Sequence, residues 1–133
     1  MFVPVLVVDG ANVVGSVPDG WWRDRAGAAG RLRDALVPVA GEGLSYPGAP
    51  AELTEGPVEV ILVLEGRARG IQPVYGITIV EADGSGDDAI VEVVAERAAE
   101  SVCFVATADR ELSDRVRAHG AVVIGPRRVP RRL

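Results

Sequence analysis

The chain has 133 residues, of which 48% are apolar and 25% are charged, and this balance suits one globular domain with a core of its own. A formal charge of −5 argues against a surface that holds nucleic acid through phosphate contacts alone. The opening apolar run, residues 2–8, is too short to span a membrane and ends at Asp9. We therefore expect a cytoplasmic protein with no membrane partner.

The first half of the chain predicts a strand, a long helix and a loop. Residues 2–8 are nearly all apolar, which is typical of a parallel strand covered on both faces. A helix is expected over residues 20–40, with Asp19 as its N-cap and Trp22 on its apolar face. Residues 41–57 are rich in Gly, Pro and Glu and have no hydrophobic period, which predicts a long mobile loop.

The second half alternates predicted strands and helices. Strands are expected over residues 58–64, 74–80, 102–106 and 121–124, and helices over residues 85–100 and 109–119. This order predicts an α/β domain, residues 1–126, with a mostly parallel five-stranded sheet flanked by helices. Residues 127–133 form an arginine-rich C-terminal tail. Such a tail suits phosphate oxygens, and a solvated run of charge is the alternative.

Acidic residues follow the strands of this predicted sheet. Asp9 comes after the first strand and Asp109 after the fourth, while Asp87 and Asp88 open a helix. Because parallel strands end at one edge, we expect these side chains to meet there, where open α/β sheets build their sites. Unit charges about 5 Å apart repel by roughly 3 kcal/mol at an effective dielectric near 20. In a chain with one histidine and one cysteine, hard carboxylate oxygens indicate bound Mg²⁺ or Mn²⁺.

Each acid also has a simpler explanation. Asp87 and Asp88 could complement a helix dipole, and Asp109 could be the N-cap of its own helix. Asp9 with the following glycine could be an ordinary turn. The convergence of these four aspartates on one edge favours a shared site. Glu65, after the second strand, should emerge at the same edge.

Three stretches resemble the signature blocks of PIN-like nucleases, in the NYN branch that includes the YacP-type proteins. They are VVDGANVVGS at 7–16, GSGDDAIVEVV at 84–94 and VATADRELSDRV at 105–116. The similarity spans nearly the whole chain. It implies a three-layer α/β/α, Rossmann-like fold and a metal-dependent endoribonuclease that hydrolyses RNA phosphodiester bonds with one or two Mg²⁺ or Mn²⁺ ions.

The resemblance also assigns residues to this chemistry. Asp9 and Asn12 match the family's D-G-x-N pattern, Asp87 and Asp88 match an acidic pair, and Asp109, preceded by Thr107, matches the acid after the fourth strand. The implied metal ligands are Asp9, Asp87, Asp88 and Asp109, with Asp88 as the direct ligand of its pair. The implied catalytic set is Asp9, Asn12, Asp88 and Asp109, and Thr107 is expected to contact substrate.

The sequence also departs from the family pattern. Ser113 stands where some relatives carry a further aspartate, and Asp114 follows one position later. Glu65 stands where a number of relatives have aspartate. These departures leave the number of metal ions open.

Several contacts with substrate are left open by the sequence. Arg67 and Arg69 leave the second strand at the predicted edge and could clamp phosphates, or could simply be solvated. Trp21 and Trp22 could stack against an unpaired base, although the helical pattern favours Trp22 in the core and Trp21 half exposed. The expected partner is RNA, single-stranded or structured, and a homodimer or a protein partner is possible.

Two other functions fit the same residues. A metal-dependent phosphohydrolase of small nucleotides could use the same carboxylates to cut a pyrophosphate. A non-catalytic RNA-binding or adaptor module could keep the fold without turnover.

Overall fold

Five strands form one parallel sheet in the computed structural model, which describes residues 3–68 and 70–133, the side chain of Arg67 excepted. The strands are β1 (Val5–Asp9), β2 (Glu59–Leu64), β3 (Ile77–Glu81), β4 (Cys103–Ala106) and β5 (Val122–Ile124). They lie in the order β3-β2-β1-β4-β5, and every neighbouring pair is parallel. The expected five-stranded parallel α/β sheet is confirmed, and the part of the predicted first strand at residue 2 lies outside the described residues.

Helices cover both faces of the sheet. They are α1 (Gly10–Val14), α2 (Arg25–Glu42), α3 (Gly86–Arg97) and α4 (Arg110–Arg117). Successive side chains of a strand point to opposite faces, so Leu6 and Val8 pack into the core on the α2 side. Val5 and Val7 pack into the core beneath α3 and α4. All four are fully buried, and the result is the expected three-layer α/β/α arrangement.

The strand order places a topological switch point beside β1. From β1 the chain moves outward through β2 to β3 and then returns to form β4 on the other side of β1. In open α/β sheets, the crevice outside the carboxyl ends of strands at such a reversal is where ligands bind. The carboxyl ends of β1 and β4 are therefore the first place to look for a site.

Helix α1 was not predicted, because a five-residue helix is too short to show a hydrophobic period. Where the sequence predicted a turn, Asp9 is the N-cap of α1 and accepts a hydrogen bond from the backbone N–H of Asn12 at 3.4 Å. A Cβ atom at Gly10 would stand 2.6 Å from the carbonyl oxygen of Val63. Only glycine lets the helix start this close to β2.

The predicted start of the long helix was wrong. Gly20 has a left-handed φ of 91°, a 3-10 turn covers Trp21–Arg23, and α2 begins at Arg25. Its N-cap is Asp24, which accepts a hydrogen bond from the N–H of Gly27 at 2.9 Å. Because the 3-10 turn does not continue the helical face, Trp22 is 48% exposed and does not lie in the core as expected.

The segment after α2 is more ordered in its contacts than its composition predicted. Helix α2 continues to Glu42, and a 3-10 turn forms at Ala51–Leu53. Leu44 and Leu53 are buried in the core on the α2 side. These two side chains anchor the loop, and its predicted mobility stays a prediction.

The remaining elements begin and end within a few residues of their predicted positions. Strand β3 was expected from residue 74 and begins at Ile77. The cause is Gly76, whose φ of 87° interrupts the extended backbone. Among the described residues, no helix combines the length and the apolarity that a bilayer crossing requires.

Candidate active site

The period of two in the strands brings Asp9 and Glu65 to the same face of the sheet. Asp9 continues the row of Val5 and Val7, which pack beneath α3 and α4. Ile61 and Val63 of β2 belong to the same core cluster, and Glu65 continues their row one residue beyond the strand. Both carboxylates therefore point toward the layer in which α3 begins.

Asp9 is a buried carboxylate, 7% exposed, at the end of the central strand. Its Oδ2 accepts a hydrogen bond from the hydroxyl of Thr107 at 2.8 Å. Burial raises the pKa of Asp9, and the nearby charges of Asp87 and Glu65 raise it further, while the bonds from Thr107 and Asn12 oppose the shift. A charge in this position is costly in the absence of a cation.

Asp87 joins this group from the first turn of α3. Burial raises its pKa, as do the charges of Asp109 and Glu65, and Arg115 acts in the opposite direction. Asp9, Glu65, Asp87 and Asp109 are thus linked by electrostatic interactions through Asp87, and they are called here the acidic cluster. They come from three strand ends and one helix start, as the sequence predicted for the edge of the sheet.

Asp88 points away from the acidic cluster. Its side chain is 85% exposed and forms an ion pair with Arg115 at 2.8 Å between Oδ1 and the guanidinium nitrogen. Consecutive residues of a helix project about 100° apart, so only one of the pair can face the cluster, and that residue is Asp87. The geometry therefore favours Asp87, not Asp88, as the direct ligand, and Arg115 is a neighbour that no sequence pattern had indicated.

Thr107 and Asn12 tie the ends of β1 and β4 together. Thr107 is 2% exposed and its hydroxyl donates a hydrogen bond to Asp9, so it holds a carboxylate, and its expected contact with substrate stays a prediction. The side-chain oxygen of Asn12 accepts a hydrogen bond from the N–H of Ala108 at 2.9 Å. Both residues fix the loop that leads to Asp109.

Asp109 lies at the start of α4 and is its N-cap. Its Oδ1 accepts a hydrogen bond from the N–H of Leu112 at 3.0 Å, and its own N–H donates to the Thr107 hydroxyl oxygen at 3.2 Å. The predicted capping role and the predicted place in the cluster are therefore not alternatives. One carboxylate has both, because Asp109 also raises the pKa of Asp87.

Glu65 anchors the start of α3. Its Oε2 accepts a hydrogen bond from the backbone N–H of Gly86. A Cβ atom at Gly86 would stand 2.9 Å from that oxygen, so glycine permits the close approach. The sequence left the role of Glu65 open, although the alternation of Ile61, Val63 and Glu65 already indicated its direction.

The donor set suits a hard divalent cation only with water in part of the coordination shell. Carboxylate oxygens are the ligands that Mg²⁺ and Mn²⁺ prefer. Within residues 3–68 and 70–133, however, no three Asp, Glu, His or Cys side chains stand close enough together to enclose an ion. Mg²⁺ is commonly held through one or two carboxylates, with waters and substrate phosphates completing the octahedron, and Asp9 with Asp87 fits that mode.

The position four residues after Asp109 adds no carboxylate to the cluster. Ser113 is buried, and its hydroxyl donates to the carbonyl oxygen of Asp109 at 2.7 Å. Asp114 is exposed and lies 3.9 Å from Arg117. Neither residue extends the acidic cluster.

The predicted phosphate contacts have different outcomes. Arg69 and the side chain of Arg67 lie outside the described residues. The C-terminal tail packs against the body of the protein: Arg131 pairs with Asp19 at 2.6 Å, and the Arg128 guanidinium lies 4.8 Å from the centre of the Tyr46 ring. Val129 between them is buried. The hydrogen bond from Arg131 lowers the pKa of Asp19, which is thus a tail anchor and not the expected N-cap.

The fold and site together define the chain as a Rossmann-like α/β protein with an acidic edge at the β1/β4 switch point. A structural comparison gives a likeness to the crystal structure of a variant of Rae1 (YacP) from Bacillus subtilis. The TM-score is 0.59 at 17% sequence identity, and the match covers 96% of this chain and 72% of that one. At this identity the likeness concerns the fold, so the YacP-like fold is confirmed and the nuclease branch stays a prediction. No family model and no curated protein match the chain.

Proposed function

We propose that this chain is a metal-dependent endoribonuclease that hydrolyses RNA phosphodiester bonds with Mg²⁺ or Mn²⁺. The observation that carries the proposal is the grouping of Asp9, Glu65 and Asp87, three carboxylates remote in sequence: Asp87 and Glu65 raise the pKa of Asp9, and Glu65 also raises the pKa of Asp87. Mutual repulsion of this kind lowers stability unless a cation or a function compensates for it.

Asp9 and Asp87 are the residues that would hold the ion, with Asp109 beside them. When bound, a divalent ion polarises the phosphodiester, activates a water molecule and neutralises charge on the leaving oxygen. The chain's own residues supply the framework. Thr107 orients Asp9 through its hydroxyl, and Glu65 fixes the start of α3 and so the direction of Asp87.

Asn12 has a second function in this proposal. Its side-chain oxygen is engaged by the N–H of Ala108, which leaves the amide NH₂ as a donor toward a phosphate oxygen. The support for RNA as substrate is the resemblance of the three sequence blocks to PIN-like nucleases, together with the YacP-like fold.

A cleavage assay tests the proposal. Purified chain is incubated with end-labelled single-stranded and hairpin RNA in Mn²⁺, in Mg²⁺ and in a chelator, and Asp114→Asn is the matched control for Asp9→Asn. We expect internal cleavage by the wild type and by Asp114→Asn when metal is present, and none by Asp9→Asn or in chelator.

The two alternative functions predict other outcomes for the same purified chain. If the chain hydrolyses small nucleotides and leaves RNA intact, the protein is a phosphohydrolase of small nucleotides and not a ribonuclease. If the chain binds RNA but isothermal titration with Mn²⁺ shows no heat of binding, the protein is a non-catalytic RNA-binding adaptor.

A further inference from the structure

A pocket of about 120 Å³ opens beside the acidic cluster. Its walls include Gly10, Ala11, Trp21, Arg25, Leu64 and Glu65. Gly10 directly follows Asp9, and Glu65 is itself a member of the cluster. The pocket and the proposed cleavage site therefore share a wall.

The walls combine a flat aromatic ring with a charged plane and an apolar side. Trp21 is half-buried, and the guanidinium carbon of Arg25 lies 5.0 Å from the centre of its ring. Unpaired bases bind proteins by stacking on aromatic rings or on Arg planes, with hydrogen bonds at the base edges. Leu64 gives the pocket an apolar side.

The size of the pocket matches one six-membered ring. A buried apolar cavity of about 150 Å³ is known to bind benzene, and this pocket is of the same order. A pyrimidine base has one such ring, whereas a purine has a second ring for which the pocket offers less room.

The neighbouring tryptophan, Trp22, does not line the pocket. Trp22 is 48% exposed, and its ring meets that of Trp21 edge to face, with centroids 5.8 Å apart. Arg23 lies over Trp22 at 5.9 Å. Two Trp–Arg pairs thus stand side by side, and only the Trp21–Arg25 pair lines the pocket.

We infer that this pocket binds the base of an unpaired pyrimidine next to the phosphodiester held at the acidic cluster. The inference rests on the proposed function, because it takes RNA as the ligand. A base in the pocket sets the sugar and phosphate at the rim formed by Gly10 and Glu65, so the pocket would select the nucleotide beside the cleaved bond.

The two tryptophans of the chain allow a direct test in chelator, where cleavage does not interfere. Trp22→Leu leaves Trp21 as the sole tryptophan, whose fluorescence is excited selectively over that of the two tyrosines, and Trp21→Leu leaves Trp22. Each variant is titrated with a short oligouridylate, an oligoadenylate and an abasic sugar-phosphate oligomer of equal length. Affinities come from the anisotropy of labelled oligomers, and circular dichroism checks that each variant is folded.

We expect oligouridylate to quench Trp21 saturably and to leave Trp22 unchanged. Trp21→Leu and Arg25→Gln should each weaken oligouridylate binding about tenfold, whereas Trp22→Leu and Arg23→Gln should bind as the wild type does. The abasic oligomer should bind equally weakly to all of them.

Several results would overturn the inference. Equal quenching of both tryptophans, or abasic RNA bound as tightly as oligouridylate, would show that no base enters the pocket. Oligoadenylate bound as tightly as oligouridylate would refute the single-ring selectivity. Absence of oligouridylate binding in chelator would overturn the inference as well. All these outcomes concern the pocket alone, because the proposed function is metal-dependent and is tested separately by the cleavage assay in Mn²⁺ and Mg²⁺.

Discussion

The hydroxyl of Thr107 donates a hydrogen bond to Oδ2 of Asp9 at 2.8 Å, joining residues 98 positions apart in the sequence. The same hydroxyl oxygen accepts from the N–H of Asp109 at 3.2 Å. One buried side chain therefore sets the direction of the carboxylate after β1 and of the residue that caps α4. The first prediction follows from this contact.

Thr107→Val should lower the free energy of unfolding by about 1–3 kcal/mol, because it keeps the shape of the side chain but removes a buried donor and acceptor. It should also raise the pKa of Asp9, since the opposing hydrogen bond is lost. Urea unfolding gives the stability, and Thr107→Ser, which retains the hydroxyl, is the control. Equal losses in the two variants would show that only packing matters at this position.

Asp9→Asn should stabilise the metal-free protein at neutral pH by a few degrees in melting temperature. Burial raises the folded-state pKa of Asp9 above its ordinary value of 3.8, so the wild type loses stability as the pH rises from 3.8 through the folded pKa, and the loss is complete above it. Below 3.8 the wild-type carboxyl is protonated in both states, and the advantage of the variant should disappear. Thermal unfolding followed across this pH range measures the difference.

Asp114→Asn controls for the loss of one negative charge, because Asp114 is exposed and outside the acidic cluster. Its melting temperature should follow the wild type at every pH. A lower melting temperature of Asp9→Asn at neutral pH would contradict the prediction and would mean that the bonds from Thr107 and Asn12 outweigh the burial of the charge.

Asp87→Asn should reduce RNA cleavage by about a hundredfold or more, whereas Asp88→Asn should change it little. The reason is direction: Asp87 interacts with Glu65 and Asp109, and Asp88 is exposed and paired with Arg115. Initial rates at saturating Mn²⁺ compare the two neighbours under the same conditions. The reverse order of effects would restore Asp88 as the ligand that the sequence resemblance implied.

Mn²⁺ should raise the melting temperature of the wild type by mass action. An ion at about 100 times its dissociation constant adds about 2.7 kcal/mol to the free energy of unfolding. Asp9→Asn and Asp87→Asn should lose this response, and Asp88→Asn should keep it, so the two sets of variants separate ligands from bystanders without any activity measurement. A full response in Asp9→Asn would exclude this carboxylate as a ligand.

The local pattern of the sequence was sufficient for most elements and failed where side-chain direction or a short element decided the outcome. Alternation and apolar runs predicted all five strands, and the helix expected over residues 85–100 is found as α3, with Ser85 as its N-cap. The five-residue helix α1 and the shift of the α2 cap to Asp24 were missed. Neither leaves a periodic signal, since each depends on one capping hydrogen bond.

By itself the sequence determined the α/β class, the parallel sheet and the set of acids at one edge, because hydrophobic periodicity and residue type are local properties. Only the tertiary structure decided that Asp87 and not Asp88 faces Asp9, that Thr107 is buried behind that carboxylate and that Trp21 lines a pocket while Trp22 does not. These facts depend on where neighbouring elements pack and on which way a helix is turned about its axis. The local sequence does not determine how a helix is rotated about its axis, because the packing of the whole core fixes that rotation.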